Sequence, residues 1–167
     1  MTACIYEDDG AFSLEHLRQE YPVFGSTDYR QPAVEIRQEN GSRISDFQYQ
    51  SHEITEGKPV LEGLPATYAE NGQEAETLTV TLADPVTKVQ VQLLYTIFAQ
   101  GGIIARSARF CHMGGQPVYL TRAMSLCMDL PDHDYVWQQL SGCWARECRI
   151  RTRSLEPGIQ SVGSMRG

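Results

Sequence analysis

The 167-residue sequence lacks the short motifs that mark the common nucleophile, phosphate and dinucleotide sites. It contains no G-x-S-x-G, no G-x-x-x-x-G-K and no G-x-G-x-x-G. Its four histidines, at positions 16, 52, 112 and 133, never fall at the i, i+4 spacing of a helical metal pair. We therefore expect neither nucleotide chemistry nor a metal site in this chain.

Cysteine occurs in an odd number and in no paired spacing. The five cysteines include no C-x-x-C, and they are Cys4, Cys111, Cys127, Cys143 and Cys148. Such a set favours neither a disulfide framework nor a zinc site. We predict free thiols in a reducing compartment and no cofactor.

Basic residues and long apolar runs are also scarce. Lys and Arg number 14 against 21 Asp and Glu, a net charge of −7, and only the stretch from Arg146 to Arg153 is locally basic. Nucleic acids and acidic membranes bind clustered basic side chains, so neither is an expected partner. No stretch approaches the roughly 18 apolar residues of a membrane helix. Residues 1–9 show no signal-peptide pattern, which predicts the cytoplasm.

Strand patterns follow one another between residues 76 and 110. The stretch 77–82 alternates hydroxyl and aliphatic side chains, and 89–93 repeats this period of two, which is typical of a strand with one buried face. Asp84-Pro85 and Gly101-Gly102 separate the runs, since Pro cannot donate to a sheet and Gly accepts the backbone of a tight turn. The pattern predicts an antiparallel meander in the core of a β-sandwich.

The residues before the meander predict a hairpin and a helix. Residues 33–38 alternate before Asn40-Gly41, and because Asn-Gly is a strong hairpin signal, we expect them to pair with residues 43–50. Residues 12–18, with Ser13 as a cap, predict a short helix. Residues 1–10 show no periodicity and are interpreted as a tail.

Further strands are predicted after the meander, at 118–129 and at 137–140. Together the patterns give seven or eight strands separated by turns, with one short helix near the N-terminus. The predicted fold is all-β, an antiparallel β-sandwich.

A carboxylate cluster lies between the last two predicted strands. Asp129, Asp132 and Asp134 surround His133. Aspartate commonly binds its own backbone in such a turn, so we interpret the cluster as a turn and not as a hydrolytic site.

Trp144 is the residue with the clearest potential for ligand contact. It follows Gly142-Cys143 in a loop after a short strand. An indole offers a flat apolar face on which a sugar ring can stack, and an N–H for a hydroxyl. Composition alone favours the alternative, a tryptophan in the sandwich core.

Seven sequence blocks occur in order between Phe12 and Gly167: FSLEHLRQEYPVFGSTDYRQPAVEIRQENGSRISDF, HEITEGKPVLEGLPATYAE, EAETLTVTLAD, ARSARF, DLPDHDY, LSGCWARE and EPGIQSVGSMRG. They resemble the N-terminal domain of family 36 glycoside hydrolases, the large bacterial α-galactosidases. The resemblance implies a β-supersandwich followed by a (β/α)₈ barrel and a C-terminal β-sandwich, often in tetramers. It also implies retaining hydrolysis of α-galactosides by two barrel aspartates.

The resemblance assigns no catalytic residue to this chain, because both aspartates belong to the barrel. We therefore expect the chain alone to be inactive. The family's Gly-Ala-Trp block matches Gly142-Cys143-Trp144, which implies that Trp144 lines the galactose pocket. Cys143 departs from the small residue usual in that block. The implied partners are an α-galactoside, a catalytic barrel and further copies of the chain.

Residues 1–10 do not resemble the start of the family's domain, and residues 154–167 show no closing strand. We therefore expect residues 11–167 to form an incomplete sandwich that belongs to a larger enzyme. Two alternatives remain open, a stand-alone carbohydrate-binding β-sandwich and a purely structural oligomerisation module.

Overall fold

The structure is a computed structural model that describes residues 19–25, 31–63, 66–130 and 134–163. Its strands are β1 (Val34–Gln38), β2 (Gln48–Glu56), β3 (Ala75–Ala83), β4 (Val89–Phe98), β5 (Ile104–His112), β6 (Val118–Ala123), β7 (Val136–Ser141) and β8 (Arg149–Ser154). All pairings between these strands are antiparallel, which confirms the predicted fold class. The helix predicted at 12–18 lies outside the described residues. The described ranges hold no helix long and apolar enough to cross a membrane.

The chain divides into two compact units, residues 1–128 and residues 129–167. The first unit contains a four-stranded sheet in the order β2-β3-β4-β5, which confirms the predicted meander. Alternation along β4 places Val91 and Leu93 on one face, and the neighbours directly opposite Val91 are Leu82 and Phe110. One face of the sheet is therefore apolar across three strands.

The second sheet of this unit pairs β1 with β6, so the hairpin predicted at Asn40-Gly41 is wrong. The chain does reverse there, since the Gly41 N–H donates to the Gln38 carbonyl at 2.9 Å and Gly41 has φ +86°. The two arms then separate, and β2 pairs with β3. The Asn40-Gly41 signal specifies only that the chain reverses. Which strand pairs with β1 depends on which side chains are buried.

The strand predicted at 118–129 is shorter than expected, because β6 ends at Ala123. The residue that follows β6 continues the contact with the β1 segment and adds a contact with Tyr21. The Met124 N–H donates to the Ala33 carbonyl at 2.8 Å, and the Met124 carbonyl accepts from the Tyr21 hydroxyl at 2.9 Å. These bonds join the end of β6 to the start of β1.

The core lies between the two sheets of the first unit. Val34 and Ile36 of β1, each 1% exposed, pack with Val89, Val91 and Leu93 of β4. Complete burial of an aliphatic side chain of this size contributes about 1.5–3 kcal/mol. The pair β1-β6 is thus the second layer of a sandwich on the apolar face of the meander.

The turn between β3 and β4 is built on a buried carboxylate. Asp84 is 1% exposed, and its Oδ1 accepts the backbone N–H groups of Val86 at 2.8 Å and Thr87 at 3.3 Å. Its Oδ2 accepts the backbone N–H of Asp46 at 3.3 Å. Asp84 therefore shapes its own turn and also holds the connection between β1 and β2.

The second unit is a hairpin of β7 and β8. Six residue pairs run from Val136 opposite Ser154 to Ser141 opposite Arg149. The strand predicted at 137–140 is confirmed as β7. All six residues of β8 are exposed.

Candidate functional site

Trp144 lies at the tip of the connection between β7 and β8. Its side chain is 89% exposed, so it is not a core residue of the described chain. The Arg146 N–H donates to the Cys143 carbonyl at 2.8 Å, which closes a tight turn with Trp144 and Ala145 at its centre. The hairpin thus presents the indole at the end of two paired strands.

Gly142 allows the two sides of this turn to approach each other closely. A Cβ at this position would lie 2.8 Å from the Glu147 Cα and would overlap the Arg146 carbonyl oxygen. Both neighbours are backbone atoms, which cannot rotate away as a side chain can. The sequence Gly142-Cys143-Trp144 therefore needs glycine at its first position.

The Glu147 carboxylate stabilises the far side of the turn. Its Oε1 accepts the Ala145 N–H at 2.7 Å. Ala145 and Cys148 have φ of +62° and +57°, a region that costs a non-glycine residue about 1 kcal/mol or more. The charge-assisted bond to Glu147 offsets part of that cost.

The strands below the turn are fixed by side-chain contacts of their own. The Arg153 guanidinium carbon lies 4.8 Å from the centroid of the Trp137 ring, and these residues are directly opposite each other. The Gln139 Nε2 donates to the Ser141 hydroxyl at 2.8 Å. Trp144 is accordingly an exposed aromatic face on a supported hairpin, an arrangement able to stack on a sugar ring.

Of the aspartate and histidine cluster that we interpret from the sequence as a turn, the structure describes Asp129 and Asp134. Asp129 and Asp134 flank residues 131–133, so Asp132 and His133 lie outside the described residues. Among the residues that the structure does describe, no group of three or more His, Cys, Asp or Glu could hold a metal ion. Cys143 and Cys148, on either side of the Trp144 turn, are free and exposed thiols.

A buried polar cluster on the apolar face of the meander has no counterpart in the sequence prediction. The Arg106 side chain is 7% exposed, and its Nη2 lies 3.0 Å from the Glu20 carboxylate. Its guanidinium stands over the rings of Tyr95 at 5.1 Å and Tyr21 at 5.3 Å. The cluster fastens residues 19–25 to β4 and β5. The one sequence signal for this cluster was the alternation along β5, which places Arg106 on the same face of the sheet as Tyr95, its direct neighbour on β4.

Burial raises the pKa of Tyr95 to about 12, and the hydrogen bond that its hydroxyl donates to Glu20 at 2.9 Å adds to the effect. Burial likewise raises the pKa of Tyr21. In the unfolded chain a tyrosine ionises near pH 10. Between pH 10 and about 12, Tyr95 is mostly deprotonated in the unfolded chain but still protonated in the folded chain. A rise in pH through this range therefore lowers the free energy of unfolding.

We expect the free energy of unfolding to fall more steeply with pH in the native chain than in Tyr95→Phe, between pH 10 and about 12. The phenylalanine variant lacks the proton whose release drives that fall. Urea unfolding at a series of alkaline pH values measures both slopes. Parallel slopes would show that Tyr95 ionises alike in the folded and unfolded chains.

Comparison with known proteins gives a match along the chain. The model of the family described as "Glycosyl hydrolase family 36 N-terminal domain" matches residues 2–167. Alpha-galactosidase AgaA of Geobacillus stearothermophilus is 48% identical over 159 residues, which are 95% of this chain and 22% of that protein. Alpha-galactosidase 2 of Hypocrea jecorina is 41% identical over 150 residues, 90% of this chain and 20% of that protein. The chain thus spans about a fifth of these relatives.

Solved structures match the fold as closely. The crystal structure of AgaA superposes with a TM-score of 0.89 at 48% identity, over 93% of this chain and 22% of that one. The α-galactosidase of Lactobacillus brevis superposes with a TM-score of 0.84 at 39% identity, over 88% of this chain and 20% of that one. A variant of AgaA in complex with raffinose has a TM-score of 0.89 at 46% identity, over 97% of this chain and 23% of that one.

Proposed function

Because the chain belongs to glycosyl hydrolase family 36 and is similar to the N-terminal domain of its α-galactosidases, we propose that it supports a catalytic domain and lends Trp144 to a galactose site. The observation that carries this proposal is the position of Trp144. The indole is 89% exposed at the tip of a hairpin shaped by Gly142 and Glu147, which supports a contact with a pocket on another surface.

The chemistry of Trp144 suits a neutral sugar. The C–H groups on one face of a galactose ring pack on an aromatic face, and such a contact contributes about 0.5–1.5 kcal/mol. An indole across the mouth of a pocket also keeps water out and limits the orientations of the ring. Hydrolysis itself needs two carboxylates on either side of the glycosidic bond, and we assign both to the catalytic domain.

A chimaera with AgaA tests the proposal. The chain replaces the matched 22% of AgaA, and release of nitrophenol from a nitrophenyl α-galactoside is measured. We expect the chimaera to be active, and both the chain alone and the AgaA remainder alone to be inactive. Activity of the chain alone would contradict the proposal, as would full activity of the remainder alone.

The exposure of Trp144 also favours a second candidate, a stand-alone carbohydrate-binding module. A dissociation constant of 1 mM corresponds to about 4.1 kcal/mol, whereas one aromatic face contributes about 0.5–1.5 kcal/mol. We therefore expect a calorimetric titration of the chain with galactose to show binding much weaker than millimolar. Millimolar or tighter binding that Trp144→Ala abolishes would establish the module instead.

We also propose that copies of the chain associate. The support is a set of exposed apolar side chains in the second unit, including Leu140 at 68% and Ile159 at 93%. Where such side chains form a contiguous patch, the patch marks an interaction surface. A mass that rises with protein concentration in sedimentation experiments is the expected result.

A further inference from the structure

The β8 strand carries a row of arginines on one face. Arg149, Arg151 and Arg153 alternate along the strand, so their side chains leave the same face at spacings of about 7 Å. On β7 they stand opposite Ser141, Gln139 and Trp137, none of which is acidic. We call these three side chains the arginine face.

The arginine face has little compensation within its own unit. Within the described chain, Arg149 and Arg151 have no carboxylate within ion-pair distance, and Arg153 stacks on Trp137. Three like charges in one row repel one another. An acidic partner surface would turn this repulsion into attraction.

The rest of the chain has the opposite charge. Residues 146–153 hold four of the 14 basic residues and one of the 21 acidic ones. The remaining sequence therefore holds 10 basic and 20 acidic residues, a net charge of −10. A second copy of this chain is thus a partner whose charge complements the arginine face.

One exposed acidic pair stands out on the first unit. Glu56 of β2 and Glu76 of β3 are directly opposite each other at the end of the four-stranded sheet, and both are exposed. Like charges directly opposite in a sheet are destabilising. The two carboxylates and Ile97 line a cavity of about 370 Å³, which offers oxygens for a guanidinium and an apolar wall for the stem of an arginine.

We propose that the arginine face is an interface between copies of this chain, and that it binds the Glu56–Glu76 pair of the second copy. The inference rests on the proposed self-association and adds to it a charged contact between two named surfaces. A two-stranded hairpin is only marginally stable alone, so the contact would also stabilise β7 and β8.

Sedimentation equilibrium of the full chain, in 0.05 M and in 1 M NaCl, tests the interface. We expect Arg151→Glu to weaken self-association at least tenfold in low salt, because it places a carboxylate against two others. Arg109→Glu changes the net charge equally at an exposed position outside the arginine face, and it should leave the association constant unchanged. In the native chain, 1 M NaCl should weaken association strongly, because the Debye length at this ionic strength is about 3 Å and charges farther apart are screened.

A double variant makes the test specific. Arg151→Glu with Glu76→Arg restores opposite charges at the same contact, and we expect association to recover to near the native value. A monomer under all conditions would overturn both this inference and the proposed self-association. Association that persists in 1 M NaCl or is indifferent to Arg151→Glu would overturn this interface alone. Activity of the AgaA chimaera reports on the galactose-site proposal separately.

Discussion

Asp84→Ala is expected to lower the free energy of unfolding by about 3–5 kcal/mol, the range of the most destabilising single substitutions. The carboxylate is 1% exposed and accepts three backbone N–H groups, two from its own turn and one from Asp46. Alanine leaves three backbone donors without this acceptor, and one of them belongs to Thr87, which is 4% exposed. A hydrogen bond to a charged group contributes about 1.5–3 kcal/mol, and two of these three are long, at 3.3 Å.

Urea unfolding of the full chain measures this effect, and Asp46→Ala is its matched control. Asp46 is an exposed aspartate whose side chain, among the described residues, accepts only from Gln48 at 3.2 Å, so its loss should change stability by less than about 1 kcal/mol. Asp84→Asn keeps an acceptor at Oδ1, and its free energy of unfolding should lie between those of Asp84→Ala and Asp46→Ala. Equal stabilities of Asp84→Ala and Asp46→Ala would show that the buried carboxylate does not hold the turn.

Trp144→Ala in the AgaA chimaera is expected to lower kcat/KM for a nitrophenyl α-galactoside about 10- to 100-fold. The loss of stacking accounts for about 0.5–1.5 kcal/mol. Entry of water and loss of ring orientation account for the remainder, since a tenfold change in rate corresponds to about 1.4 kcal/mol. The expected loss lies in both KM and kcat, because the indole is expected to bind the ring and to orient it.

Two further variants separate stacking from a general disturbance of the second unit. Trp144→Phe retains an aromatic face and should recover most of the activity. Ile159→Ala removes another large apolar side chain that is 93% exposed in the same unit, and it should have almost no effect. An activity that is unchanged in Trp144→Ala would place the indole at an interface and not at the sugar.

The meander could be predicted from the sequence because its signals are local. Period-two alternation along β3 and β4 and the turn at Asp84-Pro85 lie within one stretch of chain, and neighbouring strands pair in order. The partner of β1 could not be predicted in this way. Asn40-Gly41 specifies a reversal, but the strand that pairs with β1 is β6, which is distant in sequence, and in this arrangement Val34 and Ile36 pack against β4.

The same distinction applies to the candidate site. The residues around Trp144 are adjacent in sequence, so a matching family block was enough to single it out. The contacts of Arg106 with Glu20 and Tyr21 join residues that are far apart in the chain. No local pattern states that an arginine in a strand is buried between two tyrosines, because its burial depends on the segment that covers the sheet.

The pairing of β1 with β6 sets an order of events during synthesis. The Thr121 hydroxyl contacts the Glu35 carboxylate across 86 residues of chain, whereas the meander strands pair through short turns. Contacts between distant residues form late, because a long loop must close before they are gained. On the ribosome, Val34 and Ile36 leave the exit tunnel well before β6 does, and for that interval their apolar side chains have no sheet of their own. Nascent chains that end before residue 118 therefore expose Val34 and Ile36 until β6 has been synthesised.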